Sequence, residues 1–298
     1  MAKLRRNHKA RGGAAAGATI VKVTIFALIL FGLIWAFHTW RKGAGARENR
    51  PSPYAGERYY LPTGGSGPIV YHGGFTLQYE AEWEQAAWVA YILDGRTLDR
   101  PRIPRLDNFR PDPAVRGGTP SDDDYRGSDF DRGHLAPFAD FSWNAEWADE
   151  TFLLSNVSPQ LPAFNQGVWR ELEELVRDWA RRDGRLYVVT GPVTTERPRG
   201  YIGREHRVAV PRTFFKVLLD LEEPGQKGIG FLLPNDERPR SLASMAVSID
   251  SVESVLGIDF FSELMPADLE AALESQANPD LWSLTGPGRG DNPFSSVK

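Results

Sequence analysis

The stretch from Asn165 to Arg182 carries the clearest helical pattern in the chain, set among short apolar runs of strand character. Val168, Leu172, Leu175, Val176 and Trp179 recur at three- and four-residue spacing and make one apolar face. Glu171, Glu173 and Glu174 crowd the front, Arg177, Arg181 and Arg182 the rear, and Gly184 stops it, an order that complements the helix dipole. The strand-like runs are Ile69-Val70-Tyr71 and Phe75 to Tyr79 around a Gly73-Gly74 turn, Trp88 to Leu93, Leu186 to Thr190, Thr213 to Leu219, and Ile229 to Leu233. Ser251 to Leu256 and Pro266 to Ser275 read as short helices. One dominant amphipathic helix among separate strands predicts an α+β domain on a central mixed or antiparallel sheet.

A chain of 298 residues fits one large or two small domains at about 100–200 residues each. It has no cysteine, which excludes a disulfide framework and a thiolate metal site. The first fifty residues are of another kind. Val23 to Phe37 is free of charge, and at about 1.5 Å per residue Thr19 to Trp40 is long enough to cross a bilayer. Residues 19–40 are therefore expected to be a transmembrane signal anchor. The basic stretch 1–18 stays in the cytoplasm, and the rest lies outside it. A cleaved signal peptide ending near Ala44-Gly45-Ala46 is the alternative, but the apolar run exceeds an h-region of about 7–15 residues and Arg41-Lys42 follows directly. Residues 41–67 then form a linker, 68–275 the folded domain and 276–298 a flexible tail.

The net charge is −4, and it is unevenly spread. Residues 1–50 hold 10 basic side chains and one acid, leaving 25 basic and 38 acidic residues in the remainder. An acidic body lacks the broad basic footprint common in proteins that grip phosphate backbones. A local cationic cleft can still act, because salt screens distant charges. Weak, salt-sensitive binding of any polyanion is expected.

Pro101 to Asp124, with Pro101, Pro104, Pro111, Pro113 and Pro120, is a long irregular segment and is expected to wall a cleft. It leads into Asp131-Arg132-Gly133-His134. Ser155-Asn156-Val157-Ser158-Pro159-Gln160, then Asn165-Gln166-Gly167, Trp169 and Leu172-Glu173 follow. A lone histidine is more often a hydrogen-bonded core residue than a catalyst; these companions reverse that reading for His134. Together the residues resemble the active-site signature of the DNA/RNA non-specific endonucleases, the ββα-metal nucleases of endonuclease G type. Tyr187 to Pro192, Val208 to Pro211, Phe215-Lys216 and Leu233-Pro234-Asn235 extend the resemblance over roughly Val70 to Phe261.

The resemblance implies a ββα-metal nuclease core that hydrolyses phosphodiester bonds of DNA and RNA without sequence or sugar preference, leaving 5′-phosphate ends. It makes His134 the general base, a role suited to an imidazole with an ordinary pKa of ~6.5. It makes Asn165 the direct ligand of one Mg²⁺, with Mn²⁺ as a substitute, and Glu173 a ligand through water. Glu173 lies about 12 Å further along a regular helix and can lean back toward Asn165. Arg132 is expected to grip phosphate, with Arg177 and Gln160 as further substrate contacts. Asn156 and Gln160 are expected to hydrogen-bond the site together, and Asn156 also to touch phosphate or metal-bound water. Asp131 is expected to order the loop, Arg110 and Arg126 to lie near the nucleic-acid backbone, and His72 and His206 to be structural. A homodimer is allowed by this reading.

Two rivals remain open from the sequence. A zinc hydrolase built on His134 with Asp131 or Asp140 would need about three protein ligands, and no His-x-x-x-His or Glu-x-x-His pair is present. A non-catalytic, membrane-anchored nucleic-acid-binding module would fit the acidic body but leaves the His134, Asn165 and Glu173 set without a purpose.

Overall fold

The computed structural model describes residues 60–284 and, apart from these, Gly32. The chain divides into two compact units, 1–48 and 49–298, and the described strands all belong to the second. The expected membrane span 19–40 lies outside the described residues except for Gly32. Among the described residues no helix is long and apolar enough to cross a membrane.

The strands in chain order are β1 (Ile69–Tyr71), β2 (Thr76–Glu80), β3 (Gln85–Asp94), β4 (Asp131–His134), β5 (Val157–Gln160) and β6 (Arg185–Pro192). They continue with β7 (Gly200–Ile202), β8 (Val208–Val210), β9 (Thr213–Asp220), β10 (Lys227–Pro234) and β11 (Ala246–Val247). Seven of them form one sheet in the order β1-β2-β3-β6-β9-β10-β11. Every pair in it is antiparallel, which resolves the expected sheet type. β4 and β5 make a separate two-stranded ribbon, as do β7 and β8.

The central strands are buried on both faces, which is why they read as unbroken apolar runs rather than as alternating ones. Val89, Tyr91, Leu93, Leu186, Val188, Phe214 and Leu218 point into one core, and Trp88, Ala90, Ile92, Tyr187, Val189, Phe215 and Val217 into the other. The first core is covered by the long helix α2 (Arg170–Asp183), through Leu172, Leu175, Val176 and Trp179. Full burial of a Leu or Val side chain contributes roughly 1.5–3 kcal/mol, so this face alone fixes the helix on the sheet. The second core is covered by α3 (Ile249–Leu256) and α4 (Ala267–Glu274). Gly228 on β10 lets them approach: a Cβ there would come within 2.8 Å of Ile249 and of the Leu273 carbonyl oxygen.

Three expectations need correction. The helix does not run unbroken from Asn165: a π-helical turn, Asn165–Trp169, precedes α2, so the regular-rise estimate to Glu173 does not apply. Residues 60–67, expected within the linker, are packed on the domain: Tyr60 is buried against Tyr187 and Thr63 bridges to Asp259, while 41–59 lie outside the described residues. Residues 276–284 are not a loose tail. Trp282 is fully buried, with its ring 4.9 Å from that of Trp179. Residues 285–298 lie outside the described residues.

Candidate active site

β4 is the frame of the site. Its pairing with β5 sets Arg132 opposite Pro159 and His134 opposite Val157, so side-chain alternation sends Arg132 and His134 to one face and Asp131 and Gly133 to the other. Gly133 lies over Gln160. A Cβ at position 133 would stand 2.2 Å from Gln160 Oε1, so no larger residue fits while Gln160 keeps its place.

His134 is 8% exposed, and its ring centroid lies 5.3 Å from Phe109 and 5.2 Å from Phe152. Nε2 is buried with no hydrogen-bond partner. Burial pushes the imidazole down to about 3, the Arg105 and Arg132 guanidinium groups act in the same direction, and Asp107 opposes them. The ring is therefore neutral across the physiological range. Arg132 is exposed, pairs with Asp122 at the start of α1 (Asp122–Tyr125), and lies 4.8 Å from the Phe109 ring centroid.

Asp131 reaches toward the π-helical turn. Its Oδ2 accepts from Asn165 Nδ2 and Gln166 Nε2, each at 2.9 Å. An ionised carboxylate only accepts, so the Asn165 NH₂ must face Asp131 and its carbonyl oxygen is left for another partner. Asp131, Arg132 and Asn165 share a cleft of about 750 Å³ with Arg105, Phe109, Asp122 and Arg126. A free amide oxygen beside carboxylates, with no sulfur donor in the chain, fits a hard divalent cation of the Mg²⁺ class.

Several expected site residues lie elsewhere. Asn156 is fully buried. Its Oδ1 accepts from Ala136 N, and its Nδ2 donates to the carbonyls of Ala136 and Thr151, all at 2.9 Å. With these bonds made it clamps the chain after β4, and it is not among the residues that line the cleft. Gln160 is fully buried under Gly133 and cannot reach substrate. Arg177 is not a phosphate contact either: its Nη1 donates to Asp140 at 3.0 Å, and its side chain is only 12% exposed. Arg110 pairs with Asp149 at 2.6 Å, whereas Arg126 does line the cleft. His72 is bound to Asp112 and His206 to Glu84.

Glu173 stands in a charged layer beneath the site with Lys216, Arg177 and Asp140. Burial raises its carboxyl above the usual carboxylate range, against the pull of Lys216 and Arg177. Trp169 links it to the site, because its indole N–H donates to the His134 carbonyl at 3.3 Å and also contacts the Glu173 carboxylate. Lys216 is itself buried, 4.6 Å from the Trp169 ring centroid. Arg105, Phe109 and Asp122 escape notice in the sequence. Their only signal is membership of the proline-rich segment that leads into the signature.

The family model for DNA/RNA non-specific endonucleases matches residues 54–267. The chain is 34% identical over 220 residues to a nuclease from Nostoc sp., covering 68% of this chain and 76% of that protein. It is 34% identical over 221 residues to human mitochondrial endonuclease G, covering 70% and 73% respectively. It is 30% identical over 226 residues to a nuclease from Serratia marcescens, covering 72% and 83%. A solved structure of EndoG in complex with EndoGI matches with a TM-score of 0.62 and 27% identity, over 69% of this chain and 89% of that one.

Proposed function

The chain belongs to the DNA/RNA non-specific endonuclease family and is a hydrolytic nuclease, and on that premise we propose that it cuts both DNA and RNA in a metal-dependent reaction at the cleft between β4 and the π-helical turn. The observation that carries this reading is the Asp131 carboxylate, which ties Asn165 to the strand that holds Arg132 and His134.

Arg132 binds a phosphate of the backbone by leaving Asp122, an exchange that costs little because exposed ion pairs are worth about 0–1 kcal/mol. Arg105 lines the same cleft and adds a second positive charge. Once both guanidinium groups engage phosphate, their field at His134 weakens and the imidazole becomes a stronger base. Water reaches Nε2 when Phe109, which is only partly buried, swings aside; Phe152, which is buried, stays. His134 takes a proton from that water as its oxygen attacks phosphorus. The P–O3′ bond breaks, the 3′ oxygen takes a proton from solvent and His134 releases its own to solvent, giving 3′-hydroxyl and 5′-phosphate ends. Asn165 would hold the cation directly and Glu173 through water, and a bound ion would supply charge neutralisation at the phosphoryl group. Mg²⁺ suits this donor set, and Mn²⁺ would substitute. The arginine contacts are to phosphate and no named residue meets a base edge, so the nucleic acid is positioned without its sequence being read.

Residues 19–40 anchor the protein in the membrane with the basic N-terminus in the cytoplasm and the nuclease domain outside it. The support is the uncharged run Val23 to Phe37 and the five basic residues Lys3, Arg5, Arg6, Lys9 and Arg11 before it. Added protease should remove the domain from intact cells; digestion only after lysis would overturn this placement. For the activity, end-labelling of plasmid and RNA fragments should show phosphate on the 5′ side of each cut. Ends of the opposite polarity, or cleavage of one nucleic acid alone, would refute the proposed chemistry or scope.

A further inference from the structure

The face of the sheet remote from the cleft carries a second set of oxygen donors. Asp250 and Glu253 stand one turn apart on α3, and Glu274 ends α4. Each offers a carboxylate oxygen, and these lie within 4.8 Å of one another. The packing forces the convergence. Ile249 and Val252 seat α3 on the strand residues Gly228 and Gly230, while the Leu273 carbonyl packs on Gly228 and brings the next residue in with it. Glu274 is consequently 2% exposed.

A carboxylate held there needs a partner, and none of the described residues supplies one. Glu274 Oε1 is buried without a hydrogen bond. Glu253 uses Oε1 to accept from Phe260 N at 2.7 Å, which leaves its other oxygen. The charged groups acting most strongly on Glu274 are Glu253, Glu270, Asp250 and Asp259, all acidic. Burial and this repulsion push Glu274 up to about 9 and Glu253 up to about 7. An uncompensated buried carboxylate is costly unless it is protonated or coordinates an ion. Asp250 is exposed, so the group opens to solvent on one side, where an ion can enter and keep part of its water shell.

We propose that Asp250, Glu253 and Glu274 form a structural divalent-cation site, best suited to Ca²⁺, on the opposite face of the sheet from the catalytic cleft. Ca²⁺ takes 6–8 oxygen ligands at about 2.3–2.6 Å in adaptable geometry, which suits three carboxylates on two helices joined by a loop. Mg²⁺ demands a near-ideal octahedron. The ion locks α3 to α4 and replaces the proton that Glu274 otherwise holds. The proposal does not rest on the nuclease reading, because it involves none of the cleft residues.

The test is thermal unfolding of the full-length, detergent-purified protein against Ca²⁺ concentration, for wild type, Asp250→Asn, Glu274→Gln and Asn165→Ala. Ca²⁺ at a hundredfold excess over its Kd should raise the wild-type Tm by about 5–10 °C. Asn165→Ala should keep that rise. Asp250→Asn, which changes only an exposed rim ligand, should lose most of it, and Glu274→Gln should lose it while matching or exceeding wild type without Ca²⁺. No rise in wild type, an undiminished rise in either carboxamide variant that folds, or a rise abolished by Asn165→Ala would each overturn the site.

Discussion

Asp131 and Asn165, 34 positions apart, are joined by a 2.9 Å hydrogen bond that couples the strand bearing His134 to the π-helical turn beneath α2. The bond fixes which end of the Asn165 amide meets the carboxylate, and therefore which atom is left for a cation. Asp131→Ala should release that amide while leaving the core untouched. Apparent Mg²⁺ affinity, read from the metal dependence of plasmid cleavage, should fall about 10–100-fold, as for other partners that orient a ligand. An unchanged Mg²⁺ requirement would mean that Asp131 orients nothing of consequence.

Gly133 is required by contact, not by backbone freedom. A methyl group there collides with Gln160 Oε1, so Gly133→Ala should destabilise the protein by about 1–3 kcal/mol in urea unfolding. Gly133→Ala combined with Gln160→Ala should recover part of the loss. If the two changes simply add, the collision is not the cause.

His134 also has a signature in stability. Its native pKa of about 3 lies below the unfolded value of ~6.5, so between those limits the unfolded chain binds a proton that the native state refuses. Stability from this group is intact above the unfolded value and is lost as pH falls toward 3. His134→Asn removes the titration. The stability gap between pH 7 and pH 4.5 should be smaller in the variant by roughly 2–3 kcal/mol. Equal acid sensitivity in the two proteins would show that the imidazole is not held neutral.

Arg132 is restrained by Asp122 in the free protein. Asp122→Asn should release it for phosphate, lowering KM by about 2–5-fold at low salt, since an exposed pair is worth only about 0.2–1 kcal/mol. The advantage should shrink as salt is added. A raised KM would show that Asp122 itself serves the substrate.

The strands and the long helix were legible because burial leaves periodicity: Leu172, Leu175, Val176 and Trp179 mark one face of α2 without ambiguity. The signature placed Arg132, His134 and Asn165 around one site, because strand alternation and a short connection bring them together. The contacts of Asn156, Gln160 and Arg177 are less legible, for a common reason. Polarity in a motif does not say whether a side chain's partners are in solvent or inside, and theirs are Ala136 and Thr151, the space under Gly133, and Asp140. The π-helical turn adds no apolar residue out of period and so leaves no mark in the pattern. Trp282 sits in a polar segment, and only the docking of that segment on Trp179 reveals it as core. Arg105 and Phe109 reach the cleft through a loop whose course no local rule dictates.

If His134 activates water in a metal-dependent cut, replacing it removes the reaction and leaves substrate binding. The most direct measurement is single-turnover cleavage of plasmid and RNA by the full-length protein in detergent at low salt, with and without Mg²⁺, for wild type and His134→Ala. Wild type should cut both substrates only with the metal, and the variant should be slower by about 10²–10⁴-fold while binding DNA as before. A wild type inert with both Mg²⁺ and Mn²⁺, or a His134→Ala protein that cuts as fast as wild type, would contradict the account.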